Sequence, residues 1–281
     1  MRQVLLTILI AATAIQANGQ FIKIKKPSYN GMYFQWGYNR DWYSKSDIQF
    51  KGSNYDFTIY DVRATDQPDF AAFKNNPIDI TIPQNSYRIG FYLNKERTHA
   101  IEINYDHAKY VMRDYETLRV KGQIRGNQID KDTFVHRHFA HVDHTNGANF
   151  YMINYVGQKE LLANKNNGRR MATVIWKLGG GIVVPRSDVI VLGEQLDNKF
   201  HVAGYVLGAE GGLRFYPLKN LFLEATLKGG FANYLNSLGV GDGKLKHHFF
   251  YGEVIGMVGY DINIGMKKKR ARLEAAEKLK N

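Results

Sequence analysis

The chain has no cysteine, little proline and a single long apolar run, and each shortage removes a class of protein. With no cysteine in 281 residues, a disulfide scaffold, a thiolate metal centre and a catalytic thiol are all excluded. Stability must come from packing and hydrogen bonds. The apolar run, Val4 to Ile15, follows Arg2 and precedes the small residues Ala17-Asn18-Gly19. It is shorter than the ~20 apolar residues a spanning helix needs. Its basic, apolar and small-residue parts predict a secretory signal peptide over residues 1–19, with Gln20 first in the mature chain. Nothing comparable follows, which excludes a bundle of membrane helices and leaves a soluble β-protein or a strand-built membrane protein.

The formal net charge is +12. Residues 266–281 hold seven Lys or Arg against two Glu and read as a basic periplasmic tail rich in helix formers. The remaining excess is spread along the chain. A nucleic-acid groove would concentrate it on one face beside stacking aromatics, so nucleic acid is not expected as a partner. Outer-membrane lipid and anionic lipopolysaccharide are expected instead.

After a lead-in at 20–30, the dominant period from residue 31 is two, with Gly and Tyr abundant, which is a strand signal. Near the end, Phe250, Gly252, Val254, Gly256, Val258, Tyr260, Ile262 and Ile264 share one face, opposite Tyr251, Glu253, Asp261 and Asn263. Residues 220–235 repeat the scheme, with Leu221, Leu223, Ala225, Leu227 and Phe231 opposed to Glu224, Thr226, Lys228 and Tyr234. Residues 200–216 set Ala203, Tyr205, Leu207, Ala209, Leu213 and Phe215 against Glu210 and Arg214. These segments exceed the ~5 to 6 residues usual in globular sheets and are long enough to cross a bilayer.

Outer-membrane barrels keep periplasmic turns short and let extracellular loops grow. Connections at 94–97 and 217–219 are tight, 158–169 is medium, and those at 111–146, 185–199 and 236–247 are long. The spacing predicts strands at 31–40, 86–94, 98–110, 147–157, 170–184, 199–216, 220–235 and 248–265. The expected fold is therefore all-β: a closed, antiparallel, up-and-down transmembrane β-barrel of eight strands over residues 31–265. Residues 41–85 form a long first loop, and an extra hairpin at Asp56 to Val62 would raise the count to ten.

Eight strands enclose an interior that side chains just fill, which argues against free diffusion. On this register the lumen receives Arg88, Glu102, Asp106, Lys177, Glu210, Arg214, Glu224, Lys228, Glu253 and Asp261. Charges of both signs predict an ion-pair network, with a narrow ion or small-solute path as the alternative. Tyr33, Phe34, Trp36, Tyr38, Trp42, Tyr87, Phe91 and Tyr92 are expected in interfacial girdles.

The densest titratable cluster runs from His136 through His138 and His141 to Asp143 and His144. If it is extended, His136 and His138 share a face and could hold Zn²⁺ or Ni²⁺, completed by Asp143 or His144. The spacing matches no closed site, and no cofactor is expected. The run His144-Thr145-Asn146-Gly147 resembles the histidine, hydroxyl and asparagine run of lipid A deacylases, except that the hydroxyl follows its histidine immediately. That resemblance implies His144 and Thr145 as catalytic candidates, with Glu160 as acidic partner. A loop ending in a Thr-Asn-Gly turn accounts for the same residues.

With Gly31-Met-Tyr-Phe-Gln-Trp-Gly-Tyr-Asn-Arg40 opening the pattern and Gly252 to Gly265 closing it, the chain resembles the small outer-membrane β-barrel superfamily, and within it Bacteroidetes-type members. The resemblance implies fold and a multi-pass place in the outer membrane of a Gram-negative bacterium, and brings no catalytic residues with it. The function expected is structural or surface-binding, through the loops at 41–85 and 111–146.

Overall fold

The computed structural model describes residues 31–68, 74–75, 84–144, 147–196 and 199–262. The expected signal peptide, the lead-in, the basic tail, Asn263, Ile264 and Thr145 lie outside the described residues. Seventeen strands are found among them. In the first half these are β1 (Met32–Tyr43), β2 (Ser46–Gly52), β3 (Tyr55–Val62), β4 (Ala64–Thr65), β5 (Asn85–Tyr92), β6 (His99–Asp106), β7 (Val111–Met112), β8 (Glu116–Ile124) and β9 (Asn127–Val135). The rest are β10 (Ala140–Asp143), β11 (Phe150–Ala163), β12 (Arg170–Val183), β13 (Asp188–Val191), β14 (Glu194–Gln195), β15 (Gly204–Phe215), β16 (Leu221–Leu238) and β17 (Lys244–Ile262).

Eight strands form a ring. The order β1-β5-β6-β11-β12-β15-β16-β17 returns to β1, which pairs with both β5 and β17, and every pairing in it is antiparallel. Outward-facing partners can be followed from Met32 through Phe91, Ile101, Tyr155, Leu178, Ala209, Gly229 and Gly252. The path returns to β1 at Trp42, ten residues further on. Such a stagger accompanies strands tilted by ~35–45° around a narrow, side-chain-filled interior.

Each of the eight expected spans overlaps one ring strand, with shifted ends. β11 continues to Ala163, so the connection expected at 158–169 shrinks to residues 164–169. Three short connections, 93–98, 164–169 and 216–220, lie at one end of the ring, and 44–84, 107–149, 184–203 and 239–243 at the other.

The expected long loops are themselves built of strands. β2 and β3 form a hairpin, but it adds no strand to the ring. Instead it pairs with the far end of β17 through Lys51↔Lys244, Phe50↔Leu245 and Gln49↔Lys246. β8 and β9 follow, making a sheet of twelve strands. β17 needs its 19 residues because it serves both the ring and this extension. A second sheet, β14-β13-β10-β7-β4, faces the extension. Between them lies an apolar core with Phe50, Phe57, Ile59 and Val120 from one side and Met112, Val142, Val189 and Val191 from the other. Three connections thus fold into one β-sandwich on the long-connection end of the ring.

Alternation along the ring strands separates two chemistries. Leu178, Leu227 and Phe250 are about two-thirds exposed, whereas their sequence neighbours Lys177, Lys228 and Tyr251 are buried. Two expectations need correction. Tyr33 and Tyr92 point inward: odd residues of β1 face the interior, and the two hydroxyls donate to Glu102 Oε2 (2.7 Å) and Asp261 Oδ1 (2.7 Å). Ala203 shares the parity of Tyr205 but is buried, because it lies just before β15, where Leu235 and Asn236 donate backbone bonds to its carbonyl. Inward glycines make room for the rings: a Cβ at Gly90 would collide with Tyr33, and one at Gly259 with Phe222.

Candidate functional site

The ring interior has three layers. Nearest the short turns, Tyr33, Tyr92, Tyr216 and Phe222 pack together. The middle layer is ionic. All ten inward-facing charges named from the sequence are buried, Arg88, Glu102, Asp106 and Arg214 completely. Arg88 bridges three strands, with Nη1 3.2 Å from Glu102 and 3.3 Å from Glu210, and Nη2 3.3 Å from Asp106. Lys177 Nζ reaches Glu102 (3.2 Å), Glu210 (3.2 Å) and Glu224 (2.8 Å). Arg214 pairs with Glu224 at 2.6 Å and lies over the Phe222 and Tyr33 rings, 4.1 and 4.7 Å from their centroids. Lys228 holds Asp106 and Glu253, and Asp261 takes Arg97 at 3.4 Å. Shared partners let these charges compensate one another where water is excluded.

The third layer, towards the sandwich, is aromatic, with Phe150, Tyr110, Tyr234, Phe249 and Tyr251 at its centre. Tyr110 stacks on Phe249 with centroids 4.7 Å apart. Within this layer His144 Nδ1 lies 2.7 Å from Ser187 Oγ, His144 Nε2 lies 3.3 Å from His247 Nε2, and His247 Nδ1 lies 3.5 Å from Ser46 Oγ. The two facing Nε2 atoms share a single proton, so one ring donates and the other accepts. Burial pushes the His144 imidazole down to about 3, so it is neutral at pH 7. The four residues come from three connections and β17, and the relay ties the sandwich segments to the ring mouth.

The histidines expected to gather do not. The chain reverses at residues 136–139, where Phe139 and Ala140 donate to the His136 carbonyl. His136 and His138 stand at this turn with ring centroids 6.4 Å apart. His141 turns to Asp114, 2.7 Å from Nδ1, and to Arg137, 2.8 Å from Nε2, while His144 enters the ring mouth. Among the described residues, no three His, Asp, Glu or Cys side chains form a metal-holding group. Glu160 is not near His144: it pairs with Arg170 at 3.6 Å, ten residues along β11 from Phe150. At ~3.3 Å per residue that is roughly 30 Å towards the opposite end. His144 is also fully buried, and the pairing of His144 with Glu160 is not formed.

No family model matches the chain, and no curated protein sequence does. Among solved structures, Neisserial surface protein A aligns over 82% of this chain and 96% of its own, with 10% identity and a TM-score of 0.36. The outer membrane protein OprG from Pseudomonas aeruginosa aligns over 84% and 97%, with 11% identity and a TM-score of 0.37. The outer membrane protease OmpT from Escherichia coli aligns over 85% and 99%, with 8% identity and a TM-score of 0.37. Likeness at this level carries no assignment of function.

Sequence reasoning missed Ser46, Ser187 and His247. They lie 43 to 201 positions from their partners, and no local pattern marks an isolated serine as the mate of a distant histidine.

Proposed function

We propose that the chain is an outer-membrane β-barrel of a Gram-negative bacterium that displays the β-sandwich at the cell surface as its contact surface, in a structural or surface-binding role. The observation that carries this reading is the polarity of the ring. Its exterior is apolar on every strand, with Ile103, Ile153, Leu178, Leu213, Leu227 and Phe250 more than half exposed, while its interior holds the ions. Water as the outer solvent would leave an apolar patch far larger than the few hundred Å² that soluble monomers tolerate. Lipid reverses the preference.

The outward apolar face of β17 runs from Ile262 up to Phe250, and beyond it the same face carries His248, Lys246 and Lys244. Cations at that height suit anionic lipopolysaccharide headgroups. Ion pairs and aromatic rings occupy the interior, so the geometry favours an anchor over a conduit. The sandwich, by contrast, offers exposed Tyr115, Phe134 and His138.

The absence of cysteine makes labelling a direct test. Asn127→Cys lies at the tip of the β8–β9 hairpin and Asn166→Cys in the 164–169 turn, and both positions are exposed. A membrane-impermeant maleimide should label the first on intact cells and the second only after the outer membrane is opened. Equal labelling of both on intact cells, or recovery of the protein in the soluble fraction, overturns the reading.

A further inference from the structure

The inward charges of the barrel do not balance. Asp41 is 3% exposed and faces the interior, and adding it to the ten buried charges gives seven carboxylates. Against them stand Arg88, Lys177, Arg214, Lys228 and, from the short-turn end, Arg97. Two negative charges are in surplus among the described residues, and uncompensated charge in a water-poor interior is expensive.

The surplus has a location. Arg88, Lys177, Arg214 and Lys228 bind Glu102, Asp106, Glu210 and Glu224, four cations to four carboxylates, and Arg97 takes Asp261, whereas among the described residues no ion pair reaches Asp41. Asp41 stands opposite Glu253 in the β1–β17 register, so the two inward side chains are cross-strand neighbours. Lys228 Nζ, shared with Asp106, also lies 2.8 Å from Glu253 Oε2. Asp66, held by Arg40 at 2.7 Å, accepts from the Asp41 backbone N–H at 3.2 Å.

The Tyr43 phenol, whose Oη donates to Asp41 Oδ2 at 3.1 Å, and two amides complete the group. Asn39 Nδ2 donates to Glu253 Oε1 at 3.2 Å, and Gln84 Nε2 donates to Asp41 Oδ2 at 2.9 Å. Both amide N–H groups are thereby directed at carboxylates, and the acceptor oxygens are left over. Asn39 Oδ1, Gln84 Oε1 and Asp41 Oδ1 are buried with no hydrogen-bond partner, on side chains no more than 3% exposed. A native interior rarely abandons three acceptors in one place.

We propose that Asp41, Glu253, Asn39 and Gln84 hold one hard divalent cation, Ca²⁺, in the upper lumen. Oxygen donors from carboxylates and amides are the set that Ca²⁺ prefers, and its irregular coordination tolerates a site with only two carboxylates. One divalent ion cancels both surplus charges. With calcium in place the described inward charges balance, and the β1–β17 seam is bridged beneath the aromatic layer.

Full-length protein is stripped with a chelator in detergent and titrated calorimetrically with CaCl₂. The expected result is one Ca²⁺ per chain and a higher melting temperature with calcium than with chelator. Asp41→Asn and Gln84→Leu, each checked for an intact fold by circular dichroism, should weaken binding at least ~10-fold. Gln84→Leu removes only an uncharged donor. No calcium uptake by the stripped, folded parent protein overturns the site and leaves shared protons as the balancing charge. Uptake undiminished in both variants overturns it equally, by placing the ion elsewhere. The titration needs no membrane, so its failure is distinguishable from failure of the surface-display reading.

Discussion

Replacing Leu227 by arginine separates the membrane reading from a soluble one more sharply than any change inside the ring. Leu227 is 67% exposed, lies on the outward face of β16, and stands between Val254 and Gly211 in the register. If its surroundings were water, the change would remove few contacts and shift stability by no more than ~0.5 kcal/mol. If its surroundings are hydrocarbon, a guanidinium must be carried there. The cost on a barrel's lipid face is then ~2–4 kcal/mol near the midplane, falling towards the interfaces. Leu227 lies between Leu221 and Leu235 at the two ends of that face, so the upper half of the range is expected. The assay is urea unfolding of the protein folded into lipid vesicles, followed by fluorescence of the three tryptophans. Gln128→Arg on the exposed β9 edge serves as control and should stay within ~0.5 kcal/mol. If both variants match the parent, the outward face does not meet lipid and the placement is wrong.

Two further outcomes follow from the interior. Arg88→Met removes the cation shared by Glu102, Asp106 and Glu210, all at most 3% exposed at the side chain, and should cost about 3–5 kcal/mol in the same unfolding assay. Adding Glu210→Gln should recover part of that loss, and strictly additive losses would show that the two groups do not act together. The His144 imidazole, pushed down to about 3 by burial, binds its proton far less readily in the folded state than in the unfolded chain, where it titrates near 6.5. Its contribution is therefore complete above pH ~6.5 and declines as the pH falls towards 3, by up to ~1.4 kcal/mol per pH unit. His144→Phe should flatten the slope of the urea midpoint between pH 7 and pH 4, and an unchanged slope would assign the acid sensitivity to other groups.

Much of the ring was legible in the sequence because one physical rule governs all its strands. An exposed apolar face outside and packed polar groups inside impose period two over long segments, and the parity of β15, β16 and β17 is nearly that of the raw sequence. The sandwich was not legible. β8 and β9 carry Arg119, Lys121, Asp130 and Asp132 as paired surface charges, so the hairpin is sparsely apolar and reads as loop until β3 is placed beside it. The first ring strand was expected to stop at Arg40, whereas β1 runs to Tyr43. The three residues beyond that limit include Asp41, which is how half of the carboxyl pair escaped notice. Aromatic type could not tell Tyr33 from Phe34, because strand propensity favours both and only the register assigns the face.

The division between ring and sandwich bears on how a surface-binding role would work. A barrel whose middle is ionic and whose ends are aromatic has little freedom to change shape, since Arg88, Lys177 and Lys228 each serve carboxylates from two or more strands. The sandwich is assembled from three separate connections, and on its own each would be a long, entropically costly loop. What prevents this is the common core of Phe50, Phe57, Val142 and Val189, together with the Ser46, His144, Ser187 and His247 relay at the ring mouth. The exposed hairpin edge is thus presented on a scaffold whose orientation is fixed by β17, the one strand that passes from ring into extension. A partner docking there meets a preordered surface, and the ordering entropy has been met during folding instead of at binding.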